Sequence, residues 1–147
     1  MQLTNVFFAT LLAATSAVAA PTPADVSMMA AAPEWIIKDL KRICNSADTQ
    51  CTWTFAINPQ NAKATDCTYV VKGTKASQAL AAGPVTCGNY QVTSGWSGQF
   101  GPGNGFTTLS VVDTKQRLIV WPAYTDNELA GGKTVSPNKK YAPAALP

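Results

Sequence analysis

Residues 51–57 read Cys51-Thr52-Trp53-Thr54-Phe55-Ala56-Ile57, and this alternation sets the fold class. Successive side chains of an extended chain point to opposite faces. Cys51, Trp53, Phe55 and Ile57 therefore share one face, with Thr52 and Thr54 on the other. β-Branched and aromatic residues suit a pleated, half-buried surface, which makes the segment a strand. Upstream, Glu34–Cys44 (EWIIKDLKRIC) carries two patterns: Ile36, Leu40 and Ile43 fit a helical stripe, whereas Trp35-Ile36-Ile37 fits a strand start. The six-residue link NSADTQ favours two strands, because a hairpin then sets Cys44 beside Cys51 at its closed end, where the cross-strand separation suits a disulfide.

Alternation continues outward from this hairpin. Cys67–Lys72 (CTYVVK) places Cys67, Tyr69 and Val71 on one face, and Asn89–Ser94 (NYQVTS) sets Tyr90 and Val92 against Gln91 and Thr93. The clearest hairpin is Phe106–Val112 (FTTLSVV), an Asp113-Thr114-Lys115 turn and Gln116–Trp121 (QRLIVW), ended by Pro122. Trp121 closes an apolar strand and is assigned to the core, while Lys38, Lys41 and Arg42 are assigned to a solvated strand face. Asn58–Asn61 is a turn. Ser77–Pro84 and the glycine-rich Gly95–Gly105 are expected as loops, the former with at most a short helical turn. One helical turn is expected within Tyr124–Gly132 and a last short strand at Lys133–Ser136. No internal repeat or second domain is visible. The expected architecture is all-β: a small antiparallel β-barrel or sandwich spanning residues 34–147, with two disulfides.

The chain of 147 residues opens with an export signal. Asn5–Ala13 (NVFFATLLA) is an apolar core, followed by small residues with an A-x-A cleavage site after Ala19, so residues 1–19 read as a signal peptide. The run is too short and too quickly broken for a membrane span, which needs about 20 apolar residues. Ala20–Pro33 (APTPADVSMMAAAP) lacks any strand or helix pattern and reads as a propeptide or flexible arm. The protein is therefore expected outside the cell, where Cys44, Cys51, Cys67 and Cys87 form two disulfides. Three connectivities are open. Nearness in sequence favours Cys44–Cys51 and Cys67–Cys87, with chain-entropy contributions of about 2.5 and about 3.3 kcal/mol.

Composition excludes much chemistry. A formal charge of +3 with 13% charged residues, and no basic helix or aromatic RNA motif, does not fit nucleic-acid binding. The chain has no histidine, which removes His-based triads, papain-like dyads and His metal clusters, and the cysteine spacing is wrong for structural zinc. No metal or cofactor is expected. Gly95-Trp96-Ser97-Gly98 has Gln99 where a nucleophile elbow needs glycine, and Gly101-Pro102-Gly103-Asn104-Gly105 lacks the Lys-Ser/Thr of a phosphate loop. A two-carboxylate glycosidase would have to draw on Asp66, Asp113, Asp126 and Glu128, for which solvated positions, or a turn role at Asp113, are the simpler assignment. Trp96, Phe100, Trp121 and Tyr124 stand at loop or strand-end positions where rings stack on sugars or proteins. Within the glycine-rich loop Trp96, Gln99 and Phe100 form the candidate interaction site. No Asn-x-Ser/Thr sequon occurs.

The signal, Glu34-Trp35-Ile36-Ile37, Lys41-Arg42, Trp53-Thr54-Phe55-Ala56-Ile57, Cys67-Thr68-Tyr69-Val70-Val71, Thr86-Cys87-Gly88 and the stretch Ser94–Asp113 (SGWSGQFGPGNGFTTLSVVD) follow one another in an order that resembles a known group. These are the small secreted fungal hypersensitive-response-inducing elicitors, which include one from the rice-blast fungus and are similar in architecture to the Alternaria major-allergen β-barrel family. The resemblance implies a compact antiparallel barrel with disulfide roles for Cys44, Cys51, Cys67 and Cys87, no catalytic apparatus, and secretion by a plant-associated ascomycete. It further implies elicitation of plant cell death and defence through an apoplastic or cell-surface plant protein, a thaumatin-like defence protein among them. The allergen branch carries an additional cysteine that links two subunits; here all four can pair internally, so a monomer is expected. A cell-wall carbohydrate binder or weak glycosidase, and an inhibitor of host defence proteins, are the alternative expectations.

Overall fold

The computed structural model describes residues 32–147; the signal segment, and all of the 20–33 arm except its last two residues, lie outside them. Among the described residues ten strands form two antiparallel sheets. The first contains β1 (Trp35–Cys44), β2 (Gln50–Asn58), β3 (Thr65–Lys72) and β9 (Lys139–Tyr141), in the order β3-β2-β1-β9. The second contains β4 (Ala82–Cys87), β5 (Tyr90–Ser97), β6 (Phe106–Asp113), β7 (Leu118–Val120) and β10 (Ala144–Ala145), in the order β10-β7-β6-β5-β4, with β8 (Ala123–Thr125) also paired to β6. The all-β expectation holds. The sheets do not close into a barrel: each ends on its own edge strands, and their inner faces share one core.

The two patterns in β1 have one cause. The strand pairs β2 throughout, but its register shifts between Lys38 and Lys41, where Asp39 takes φ +52° and its N–H donates to Asn138 Oδ1 at 2.9 Å. A bulge inserts one residue and moves the alternation to the other parity. Trp35 and Ile37 are buried before it, Leu40 and Arg42 after it. Arg42 therefore points inward, against its assignment to a solvated face, while Ile43 is left exposed.

Other departures also follow from backbone pairing. β4 lies where a loop was expected: Ala, Gly and Pro have poor strand propensity, but an edge strand with a register break between Ala82 and Val85 tolerates them. Gly95, Trp96 and Ser97 belong to β5, not to the following loop, with Gly95 opposite Thr108. A Cβ at Gly95 would lie 2.9 Å from the Leu80 carbonyl oxygen, so glycine here permits a close backbone approach. β7 and β8 share one register against β6 (Val111↔Val120, Thr108↔Ala123), interrupted at Trp121-Pro122 because proline has no N–H. Val120, Pro122 and Tyr124 take the core side of this line. Trp121 consequently points outward and is half exposed, correcting its core assignment. The last pairing with β1 is made by Lys139–Tyr141 and not by Lys133–Ser136, whose Val135 gives a lone backbone bond to Leu40. The helical turn is present as α1 (Asp126–Leu129).

Trp35, Leu40, Trp53, Phe55 and Tyr69 of the first sheet pack with Val92, Leu109, Val111, Val120 and Tyr124 of the second, and Trp35 meets Tyr90 edge-on at 5.4 Å. Full burial of each large side chain contributes about 1.5–3 kcal/mol. Cys44–Cys51 closes the β1–β2 hairpin, and Cys67–Cys87 joins edge strand β3 of one sheet to edge strand β4 of the other. Tyr69 and Ser94 hydroxyls, 2.8 Å apart, bridge the sheets nearby.

The inter-sheet disulfide closes the longer segment, with a sequence separation of 20 against 7. The double variant Cys67→Ala/Cys87→Ala is expected to lose about 3 kcal/mol, more than Cys44→Ala/Cys51→Ala, in urea unfolding. Equal losses, or a larger loss from the hairpin pair, would contradict this ranking.

Candidate functional site

The loop from Gly98 to Asn104, between β5 and β6, is held by two successive turns. The Gly101 N–H donates to the Gly98 carbonyl at 3.0 Å and the Asn104 N–H to the Gly101 carbonyl at 3.1 Å. Gly101 and Gly103 have φ of +92° and +78°, values that a Cβ disfavours. The Asn104 amide donates to the Phe100 and Pro102 carbonyls at 3.2 and 3.5 Å, and Asn127 of α1 donates to the Gly103 carbonyl at 3.5 Å. Gln99 and Phe100 stand at the exposed tip. Phe100 is 66% exposed and stacks on Phe106 with ring centroids 5.6 Å apart.

Trp96 has a different position. It is half buried at the end of β5, its indole N–H donating to Asp126 Oδ2 at 2.9 Å. Its ring lies between Gly98 and Gly105; a Cβ at Gly105 would come 2.7 Å from the indole Cζ2 and Nε1. The other Asp126 oxygen accepts from Arg42 Nη1 at 3.3 Å, and the same nitrogen donates to the Ser77 carbonyl at 3.2 Å. The Arg42 guanidinium lies 5.5 Å from the Trp53 ring centroid. Ser77 in turn gives its N–H and hydroxyl to Asp48 at 2.8 and 2.6 Å, beside the Cys44–Cys51 disulfide. Trp96 is thus set apart from Gln99 and Phe100: it anchors the loop, and they form its surface. Asp48, Cys44 and Cys51 also bring three potential ligand atoms together, but both cysteines are disulfide-bonded and offer no thiolate.

Asp66 is exposed on β3, and the other three candidate carboxylates have structural work. Asp113 Oδ1 accepts the Lys115 and Gln116 N–H groups at 2.9 Å each, a turn role. Asp126 is occupied by Arg42 and Trp96 as described. Glu128 completes a capping box with Thr125, accepting the Thr125 N–H at 2.8 Å while its own N–H donates to Thr125 Oγ1, and it pairs with Lys139 at 2.9 Å. Burial alone would raise the Glu128 pKa. The Lys139 hydrogen bond, the Thr125 amide and the Lys139 charge outweigh it and hold the carboxyl below its usual range. A general acid needs the opposite shift.

Beside the aromatic tip, a groove of about 510 Å³ follows the outer edge of β8 and is lined by Phe100, Phe106, Tyr124, Thr125 and Asn127. Its backbone groups are occupied by side chains. Tyr141 Oη accepts the Ala123 N–H at 3.3 Å, Lys139 Nζ donates to the Ala123 carbonyl at 2.8 Å, and Glu128 takes the Thr125 N–H. The edge is therefore blocked against an added strand. Lys139 also lies 4.6 Å from the Tyr124 ring centroid. The Tyr124 hydroxyl is buried without a hydrogen-bond partner among the described residues. Burial, then Tyr141 and Glu128, drive its pKa upward, so it stays protonated. Phe106, Asn127 and Lys139 are site members that sequence reasoning missed, and Glu128, considered there as a catalytic carboxylate, lines the groove instead. The periodic β6 pattern, which places Phe106 opposite in phase to buried Thr107, was the available signal for the first of them.

Residues 36–146 match the family model described as Effector TSP1, and the whole chain is 60% identical over 147 residues to the full length of "Effector TSP1" from Hypocrea virens (strain Gv29-8 / FGSC 10586). The chain belongs to the Effector TSP1 family. The Effector TSP1 match runs from the second residue of β1 to just past β10 and so takes in both sheets, both disulfides and the aromatic loop. This relative comes from Hypocrea virens, not from the rice-blast fungus.

Two outcomes test this site in the free protein. Gly105→Ala is expected to cost about 1–3 kcal/mol by overpacking, and to break the Trp96–Asp126 bond, seen as a shifted indole N–H resonance. Glu128 is the pH-sensitive element: its lowered pKa gives stability that is present above the unfolded value of about 4.3 and is lost as pH falls through the folded one. Glu128→Gln should therefore flatten the decline of Tm between about pH 5 and about pH 3, modestly because the pair is about one-third exposed. An unchanged slope would count against the assignment.

Proposed function

We propose that this chain is an exported fungal effector that acts by being bound and not by catalysis. On this proposal residues 1–19 are removed on export, 20–33 form a propeptide or arm, and the β domain works in the plant apoplast. The observation that carries the proposal is the exposed, internally braced aromatic tip, Gln99 and Phe100, on a disulfide-joined sandwich, in a chain whose family bears the name Effector TSP1. A rigid aromatic projection lowers the entropic cost of ordering a contact, which favours a binding role. The absence of histidine and the structural occupation of Asp113, Asp126 and Glu128 give further support to a non-catalytic mode.

The finer reading follows the resemblance stated above: the plant responds with hypersensitive cell death and defence, and the component met is an apoplastic or cell-surface protein, with a thaumatin-like defence protein as the leading candidate. The similarity to the allergen barrels belongs to the same proposal.

Infiltration of the purified protein into leaves should produce an oxidative burst, defence-gene induction and local necrosis. Phe100→Ala should reduce the response at least severalfold while leaving Tm unchanged, since its ring is mostly solvent-exposed. Silence of the wild-type protein in several hosts would overturn the elicitor reading; full activity of Phe100→Ala would overturn the assignment of the aromatic tip.

A further inference from the structure

The β8 groove has a ligand chemistry of its own. Its apolar part is the Phe100–Phe106 pair, two rings inclined by 29° with the outer ring open to solvent. Aromatic faces of this kind hold ligands that present a flat C–H surface. Around the rings the polar groups are neutral: the Asn104 and Asn127 amides and the Thr125 hydroxyl. Both charges at the rim, Lys139 and Glu128, are committed to each other at 2.9 Å, so the groove offers no net charge to an ionic ligand. A peptide adding as a strand is disfavoured as well, because Tyr141, Lys139 and Glu128 already occupy the β8 edge.

Neutral polar groups beside stacked rings and a blocked strand edge fit one class of occupant. We propose that the groove binds a neutral oligosaccharide segment of a plant cell-wall polysaccharide. A pyranose ring would lie on Phe100 and Phe106, with its hydroxyls toward Asn104 and Asn127. The loop's own hydrogen bonds hold Phe100 in place before a ligand arrives, which reduces the cost of binding. This inference rests on the proposal that the aromatic-tip face is the binding face, and it names the ligand class for that face.

The test is titration of the whole exported protein with cello-, laminari- and xylo-oligosaccharides, and with oligogalacturonate as a charged control, followed by calorimetry and backbone NMR. Saturable binding of at least one neutral oligomer is expected, with shifts at Phe100, Asn104 and Asn127. Phe100→Ala should weaken it about tenfold or more, and Phe100→Trp should retain it. Leu80→Ala, an exposed apolar position away from the groove, should change nothing. No binding of any neutral oligomer, preference for oligogalacturonate, or wild-type affinity in Phe100→Ala would overturn the inference. The leaf assay separates the two proposals. If no sugar binds but Phe100→Ala still loses the leaf response, the binding face stands and its ligand is a protein; if neither readout moves, both fall.

Discussion

One guanidinium organises an end of this sandwich. Arg42 is nearly fully buried, and a buried charge persists only when paired and hydrogen-bonded. Its partners come from separate parts of the chain: the Trp53 ring from the same sheet, the Ser77 carbonyl from the connection between sheets, and Asp126 from the start of α1. Asp126 then holds the Trp96 indole, and Ser77 is held by Asp48 beside the hairpin disulfide. The exposed loop is thus fastened to the interior through side chains, so its stiffness does not depend on glycine-rich backbone alone. Because removing one partner strands another, these residues act as a unit and their contributions will not add.

The edge on the other side of Asn127 in the same short helix is organised by Lys139. It supplies a hydrogen bond to the Ala123 carbonyl, an ion pair to Glu128 and a cation over Tyr124. Glu128 simultaneously caps α1. The same few residues therefore end a helix, block a sheet edge against unwanted pairing and leave a groove without net charge. A surface protected from strand addition but floored with aromatic rings is selective by what it refuses as well as by what it accepts.

The strands of period-2 alternation were legible because burial on one face demands it. In β2 and β3 the inward residues are those the pattern named, Trp53, Phe55 and Tyr69, and β6 buries Thr107, Leu109 and Val111 by the same alternation. The helical turn also had a local cause, Thr125 and Glu128 at capping-box spacing. Phe100 and Gln99 were visible as exposed loop residues for the simple reason that five glycines surround them between Gly95 and Gly105. Where reading failed, a long-range bond had overridden a local rule. β4 is a strand because β5 pairs with it, and Trp121 faces outward because Val120, Pro122 and Tyr124 fill the inward positions.

By itself, then, the sequence determined an all-β domain with two disulfides and an aromatic, glycine-rich loop, since alternation, cysteine number and turn chemistry are local and additive. Only the tertiary structure decided that the sheets stay open, that a bulge at Asp39 turns Arg42 inward, and that Trp96 is an anchor while Phe100 is a surface. A one-residue bulge reverses every later side chain in its strand, and its place is set by pairing with distant residues such as Asn138. The groove beside β8 has the same origin: Phe106 and Tyr124 meet there through strand pairing and the Lys139 side chain reaches it from the other sheet, not through proximity in sequence.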